Sequence, residues 1–413
     1  SAQIVYPVHT VKKDGTGDYT TIQAALNASS VNDTITVYPG TFKENIIISK
    51  GVVLRSSEGY RSTILDGGGN GKTVRIIETT NLEGLQVIGF TIQNGFAEFT
   101  GSTDRGGGME ISSADKTVII SDCYFTNNRS DKGGAHIKID GDNVFINRSI
   151  FVNGLGGTPI FSDNGRKSGY FTNCLIDANG EAHVVDGNSF PDFYHSTLQN
   201  YTGFGYRAGK PNSPNGVAYI VSSILATPTS TERFVDLGNR YIDVFIQNSY
   251  IIDASGYTNS LGNVSFRNPL TKGTAYVLMD ETPYLKSDYT LEDWSQMIGA
   301  AKPLDTYGQQ VSGSDNYIKH SVEIIKKIKG FLEVDLAGNP RSDPKPDVGA
   351  YENSLSSPGR KTRTIVKKDG SGDFTTVSSA INNAANGDTI NVYPGVYNAE
   401  VWVFNQIDNL VLQ

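Results

Sequence analysis

Sulfur and net positive charge are what this chain has least of. Its 413 residues include 2 Cys, 3 Met and 2 Trp, and 35 Lys and Arg stand against 43 Asp and Glu, a formal net charge of −8. With no basic stripe to neutralise phosphates, a nucleic-acid partner is excluded. Charged residues make up 19% of the chain, low for a cytosolic enzyme. No run of about 18 apolar residues occurs, so no transmembrane segment is expected. A dense leucine framework is also missing, which excludes a leucine-rich repeat. Two cysteines say nothing about compartment.

What the chain does have is turn residues and one repeated phrase. Gly 45 and Tyr 21 suit a turn-rich β protein. The phrase runs polar, small, any residue, large apolar, polar. It reads Asp122-Cys123-Tyr124-Phe125-Thr126-Asn127, then Arg148-Ser149-Ile150-Phe151-Val152-Asn153, then Asn173-Cys174-Leu175-Ile176. It continues as His195-Ser196-Thr197-Leu198-Gln199-Asn200, Ser222-Ser223-Ile224-Leu225 and Asn248-Ser249-Tyr250-Ile251, and Phe90 to Gly95 fits upstream. The large apolar members at 125, 151, 176, 198, 225 and 251 are 26, 25, 22, 27 and 26 residues apart. Such a period, with alternation inside each unit, predicts an all-β solenoid, the parallel β-helix. Cys123, Ser149, Cys174, Ser196, Ser223 and Ser249 would then form one interior column, and the large apolar residues the next. Two coils separate Cys123 from Cys174, about 9.6 Å, too far for a disulfide. Both are expected as buried free thiols.

In chain order, Asp14 to Asp18 form a turn, and Thr20 or Thr21 caps a short helix that can plug the open end of the solenoid. The stretch Lys12-Lys13-Asp14-Gly15-Thr16-Gly17-Asp18-Tyr19-Thr20-Thr21-Ile22-Gln23-Ala24-Ala25, followed by Val37-Tyr38-Pro39-Gly40-Thr41-Phe42-Lys43-Glu44, resembles the entry segment of pectin-esterase-like and pectate-lyase-like right-handed β-helices. That resemblance implies a right-handed fold and leaves the chemistry open. Ser321 to Lys329 reads as a short strand or a surface helix. Asp335 to Arg341 with Asp347 to Glu352 resembles the closing segment of exported bacterial β-helix proteins, where it precedes further domains or an anchor. Residues 1–352 are thus expected as one domain, and 353–363 as a linker. Val366 to Gly395 then repeats Val11 to Gly40 at a constant offset of 355, so 364–413 reads as the start of a second, homologous β-helix. Ser1-Ala2-Gln3 looks like what remains after a cleaved secretory signal.

For chemistry, Gly89-Phe90-Thr91-Ile92-Gln93-Asn94 matches pectin esterases, but their Gln-Ala-Val, Gln-Asp-Thr-Leu and Asp-Phe-Ile-Phe-Gly blocks are absent. A polysaccharide lyase or glycoside hydrolase acting on acidic polysaccharide is the enzymatic alternative. Elimination from a uronic acid needs a base and a cation on the carboxylate. Aligning Gly107 to Ile111, Gly133 to Ile137 and Glu181 to Val184 puts Met109, Ala135 and Ala182 inside, with Glu110, His136 and His183 outside. Lys138 lies beside them. Arg105, Lys132, Arg166 and Lys167 sit in neighbouring turns as ligand-binding candidates. Tyr194, Tyr201 and Tyr206 are candidates to stack on sugar rings. Asp140 and Asp142 would serve Ca²⁺, if any cofactor binds. The tandem copy and the missing catalytic blocks favour a non-catalytic protein: a secreted or cell-surface adhesin that binds a polysaccharide or surface glycan, or a structural spacer. A type IX secretion cargo of the Bacteroidota, handled by secretion or outer-membrane machinery, is the host context this suggests.

Overall fold

The computed structural model describes residues 6–78, 81–98, 105–114, 116–162, 169–181, 183–187, 191–201, 206–207, 216–226, 235–236, 242–247, 249–251, 264–266, 285–301, 321–370, 372–397 and 407–413. The chain divides into two compact units, Ser1–Glu292 with Gln296–Ser356, and Asp293–Ser295 with Ser357–Gln413. The division after Ser356 falls inside the stretch expected as a linker.

The first unit is a parallel β-solenoid. Each coil contributes a strand in turn to three all-parallel sheets, of eleven, nine and eight strands among the described residues. Leu85–Ile88, Thr91–Gln93 and Met109–Ala114 make one coil, and Val118–Ser121, Tyr124–Thr126 and Ile137–Gly141 the next. The apolar column is paired as its spacing requires: Ile92, Phe125, Phe151, Ile176, Leu198, Leu225 and Ile251 are successive register partners. The Phe125 and Phe151 rings stack at 4.6 Å.

The second column does more than fill space. Cys123, Ser149, Cys174, Ser196, Ser223 and Ser249 are all buried. The amide of Cys123 donates to Ser149 Oγ (3.2 Å), Cys174 to Ser196 (3.2 Å), Ser196 to Ser223 (3.1 Å) and Ser223 to Ser249 (3.1 Å). At the corner, where the backbone ladder breaks, a small hydroxyl satisfies the orphaned donor. Both cysteines are free thiols, pushed up to about 12 by burial.

The polar letters of the phrase are corner residues. Asp122, Arg148, Asn173, His195 and Ser222 have φ between 43 and 56° on one side of the second sheet, and Asn94, Asn127, Asn153 and Asn200 between 51 and 56° on the other. Short polar side chains tolerate this left-handed conformation better than apolar ones. Arg148 answers Asp122 one coil away with two hydrogen bonds, at 2.7 and 2.8 Å.

Helix α1 (Ile22–Ala28) is capped by Thr21, whose side chain accepts from the Ala24 amide, and it buries Ile22, Ala25 and Leu26 in the main core. Helix α2 (Val322–Phe331), capped by Ser321, settles the strand-or-helix choice at 321–329. Ile328 and Leu332 pack on Phe145, Tyr170, Tyr194 and Tyr219, on the outer face of the first sheet.

The closing segment docks on the corner column and is held by Arg341. Its guanidinium, buried from solvent, pairs with Glu352 at 3.1 Å and donates to Asn173 Oδ1 at 2.7 and 3.2 Å and to the Gly349 carbonyl at 3.0 Å. The Gly349 amide reaches the Ser222 carbonyl, Ala350 N reaches Thr197 Oγ1, and the Asp347 carbonyl meets His195 Nδ1.

The second unit has three parallel strands, Arg363–Val366, Thr389–Val392 and Val411–Leu412, and helix α3 (Val377–Asn382). Arg363 pairs with Thr389 as Val8 pairs with Thr34, both partners displaced by 355 (363 − 8 and 389 − 34). Thr376 caps α3 as Thr21 caps α1.

Removing one partner of a buried ion pair leaves the other uncompensated, at a cost of about 3–5 kcal/mol. Arg341→Ala is therefore expected to release the closing segment before the coils melt. Limited proteolysis would show new cleavage between 333 and 353 with the β circular-dichroism signal intact; an unchanged digestion pattern would contradict this role.

Candidate functional site

The third sheet carries the residues the sequence singled out. Met109, Ile137, Ile160 and Val185 are register partners facing in, and Arg75, Glu110, Lys138, Phe161 and Asp186 form the adjacent outward column. Glu110 therefore stacks on Lys138, and the expected alignment of Glu110 with His136 is off by two residues. A slip of two keeps in and out unchanged while exchanging every partner. Met109 and Ala135 are buried as expected; Ala182 lies outside the described residues.

Glu110 is only 8% exposed. Its carboxylate accepts from Lys72 Nζ at 2.8 Å and Arg75 Nε at 3.2 Å, and Lys138 Nζ lies 3.6 Å away. Burial pulls its pKa up, but the bond and charge of Lys72, with Lys138 and Arg75, outweigh this and hold it below the usual carboxylate value. A carboxylate so engaged is a poor proton acceptor, and Lys138, also buried, is its counterion.

His136 does not face outward. Its ring is fully buried, edge-on to Phe125 at 6.4 Å and Phe151 at 6.0 Å, with Nδ1 3.2 Å from Asn128 Nδ2. Its place in the coil explains this. The Met109 amide bonds to the His136 carbonyl, so His136 stands at the corner, before the strand Ile137–Gly141 begins its alternation. One coil earlier Gly108 sits there, where an added Cβ would meet the His136 carbonyl at 2.6 Å. Burial lowers the His136 pKa to about 3, so the ring is neutral.

The other candidates scatter. His183 is half-buried before the strand Val185–Gly187, three strands along the sheet from that of Glu110. The Arg105 guanidinium lies 3.8 Å over the Phe161 ring, and its Nε donates to the Lys132 carbonyl at 3.0 Å; Lys132 is exposed. Arg166 and Lys167 lie outside the described residues. Tyr194 and Tyr201 are buried and cannot stack on a sugar: Tyr194 lies under α2 with its hydroxyl on Asp192 (3.0 Å), and Tyr201 is in the core. Tyr206 belongs to the strand Tyr206–Arg207, and its side chain is outside the described residues. Asp140 and Asp142 are half-buried, and among the described residues no group of three or more His, Cys, Asp or Glu gathers to hold a metal.

Two clefts instead flank Phe96, on the corner between the second and third sheets. One, about 590 Å³, is lined by Lys43, Asp66, Asn94, Phe96, Asn127 and Arg129 among others. The other, about 710 Å³, takes in Asn45, Asn70, Lys72, Arg75, Phe96 and Glu98. Phe96 and Arg129 are register partners, Arg129 bridges to Leu155, and the Arg129 guanidinium lies 4.8 Å over the Phe96 ring. Sequence reasoning missed this column, although a signal was present. Each of the three residues stands two places after a left-handed corner Asn: 94, 127 and 153.

Residues 40–217 match the family model described as right handed beta helix region. No curated protein matches the chain by sequence. Among solved structures, pectin methylesterase from carrot shares 13% identity, covering 68% of this chain and 91% of its own, with a TM-score of 0.36. Pectin methylesterase PemA from Erwinia chrysanthemi shares 13% over 60% of this chain and 80% of its own, TM-score 0.33. The PL6 family alginate lyase AlyGC shares 11% over 95% of this chain and 65% of its own, TM-score 0.38. At these identities nothing about activity passes to this chain. The family match over residues 40–217 and the three parallel sheets support a right-handed parallel β-helix fold.

A histidine whose pKa falls on folding stabilises the native state above its unfolded pKa of about 6.5, and that contribution is lost as pH drops towards the folded value. His136→Phe should therefore flatten the decline in stability below pH 6.5 by up to about 1.4 kcal/mol per pH unit. Denaturant midpoints of wild type and variant at pH 7 and pH 5 test this; parallel declines would mean the ring is not buried neutral.

Proposed function

We propose that the first unit binds an acidic polysaccharide or surface glycan in the paired clefts around Phe96, without chemistry, as an adhesin-like protein. One observation carries this reading. On a chain of net charge −8, the two cleft linings hold four cations, Lys43, Lys72, Arg75 and Arg129, against two carboxylates, Asp66 and Glu98; counting their ion-pair partners Glu110, with its Lys138, and Asp131, the cations still lead by five to four. A local positive excess on an acidic protein selects anionic ligands. Amides from Asn45, Asn94 and Asn127 add hydrogen-bonding groups suited to sugar hydroxyls. The buried His136 and the engaged Glu110 support binding over catalysis. Display of the protein outside a bacterial cell, as a type IX cargo or otherwise, and residues 364–413 as the start of a second β-helix belong to the same reading. The repeated cap, register and turn support the latter, and tandem units would raise avidity on a repetitive glycan.

Affinity electrophoresis of the full chain through gels containing polygalacturonate or alginate tests the proposal. Retention is expected, weakening with added salt. Lys43→Ala and Arg129→Ala should each lower affinity about tenfold, the loss of one charge-assisted hydrogen bond. Unretarded migration in both gels would sink the reading, and release of unsaturated, ultraviolet-absorbing product lost in Glu110→Gln would replace it with a lyase.

A further inference from the structure

The cleft contains a carboxylate whose surroundings occur twice in the molecule. Asp66 ends the strand Thr63–Asp66 and accepts three hydrogen bonds: from Gly68 N at 2.8 Å, Gln93 Nε2 at 2.8 Å and Asn94 Nδ2 at 3.0 Å. Asp177 ends the strand Leu175–Asp177 and accepts from the corresponding three groups, Asn179 N at 2.7 Å, Gln199 Nε2 at 3.0 Å and Asn200 Nδ2 at 2.9 Å, with Asn200 on Oδ1 where Asn94 takes Oδ2. The backbone repeats as well. Gly67 N reaches the Gln93 carbonyl at 2.9 Å and Gly69 N the Asn94 carbonyl at 2.7 Å; Ala178 and Gly180 do the same to Gln199 and Asn200 at 3.0 and 2.7 Å. Gly68 and Asn179 share the left-handed conformation, at φ 62 and 53°. The sequence carries the repeat as Asp66-Gly-Gly-Gly with Thr91-Ile-Gln-Asn, and Asp177-Ala-Asn-Gly with Thr197-Leu-Gln-Asn.

The two clamps differ in the oxygen the asparagine takes and in a fourth donor. Asp177 takes a fourth donor, the Tyr289 hydroxyl, at 3.3 Å from Oδ2. A carboxylate has about four lone-pair positions. Asp66 has three of them filled, one on Oδ1 and two on Oδ2, and the residue lines the cleft beside Lys43, Asn94 and Arg129. We infer that Asp66 is the hydroxyl acceptor of a sugar-binding subsite through its open position on Oδ1, whereas at Asp177 the Tyr289 hydroxyl completes the four donors from within the chain. The three donors orient the carboxylate and keep it ionised: burial raises its pKa, but the bonds from Gln93, Gly68 and Asn94 more than offset this. This deepens the glycan reading and rests on the same cleft, but it asks for a hydroxyl where the cations ask for an anion.

The two requirements separate experimentally. Dissociation constants of the full chain for oligogalacturonate and for neutral cellohexaose would be measured by titration calorimetry in wild type, Asp66→Asn, Arg129→Ala and Tyr289→Phe. Asp66→Asn should weaken binding of whichever probe binds by about tenfold or more, because the amide cannot reproduce a carboxylate acceptor, and Tyr289→Phe should leave it unchanged. Where Asp66→Asn fails to fold, Gly68→Asn carries the test. The second clamp already holds Asn at that position, and a Cβ on Gly68 meets nothing within 4 Å, so this variant crowds the cleft and spares the fold. It too should weaken binding about tenfold or more. Wild-type affinity in Asp66→Asn with loss in Arg129→Ala would overturn the Asp66 subsite and leave the acidic-glycan reading standing. Binding of cellohexaose alone, lost in Asp66→Asn, would do the reverse. Binding of neither probe by the wild type would overturn both.

Discussion

Parallel pairing of each coil with the next is the interaction on which this structure depends. Every strand owes its backbone hydrogen bonds to the coils above and below, and a buried amide left unpaired costs as much as a lost hydrogen bond. Pairing therefore fixes register, and register fixes columns: Ile92, Phe125, Phe151 and Ile176 meet because their strands must. The corners are where pairing lapses. There the chain uses left-handed polar residues, and it recovers the missing acceptors from the serines of the neighbouring column.

A solenoid also exposes three outer faces, and this one treats them differently. On the first sheet the aromatic residues Phe145, Tyr170, Tyr194 and Tyr219 are covered by α2. On the second, Ile224 packs with Leu291, Met297, Ile298 and Val348. The corner around Phe96 keeps its clefts, and there the side chains include cations, two carboxylates, amides and one ring. Coverage separates the aromatics that serve packing from Phe96, which lines the open clefts. Tyr194 and Phe96 are both outward-pointing, and only α2 tells them apart.

The legible part of this architecture was local and periodic. The phrase gave the columns, the small residues, the free thiols and the corner positions, because each coil repeats one environment and selects one residue type for it. The offset of 355 likewise anticipated the matching registers of Val8–Thr34 and Arg363–Thr389. The candidate site was legible only in part. Glu110 stands in the outward column, stacked on Lys138, but the glycine pairs used to align their coils, Gly107-Gly108 and Gly133-Gly134, are not equivalent in space. His136 stands at the corner before the strand's alternation begins, and there it is a core residue instead of the proposed base.

The sequence by itself determined the class of fold, the period and the inward columns, since apolar spacing and corner chemistry are written into each coil and need no knowledge of distant segments. Only the tertiary structure decided which outward residues meet solvent, because that depends on where the non-repetitive segments 285–301 and 321–353 settle. It also decided the register of the third sheet, where corners of unequal length let residue spacing and spatial stacking diverge. The Asp66 and Asp177 clamps lie between these cases. Their residues repeat in the sequence, yet the fourth donor at Asp177, the Tyr289 hydroxyl, arrives from 112 positions away.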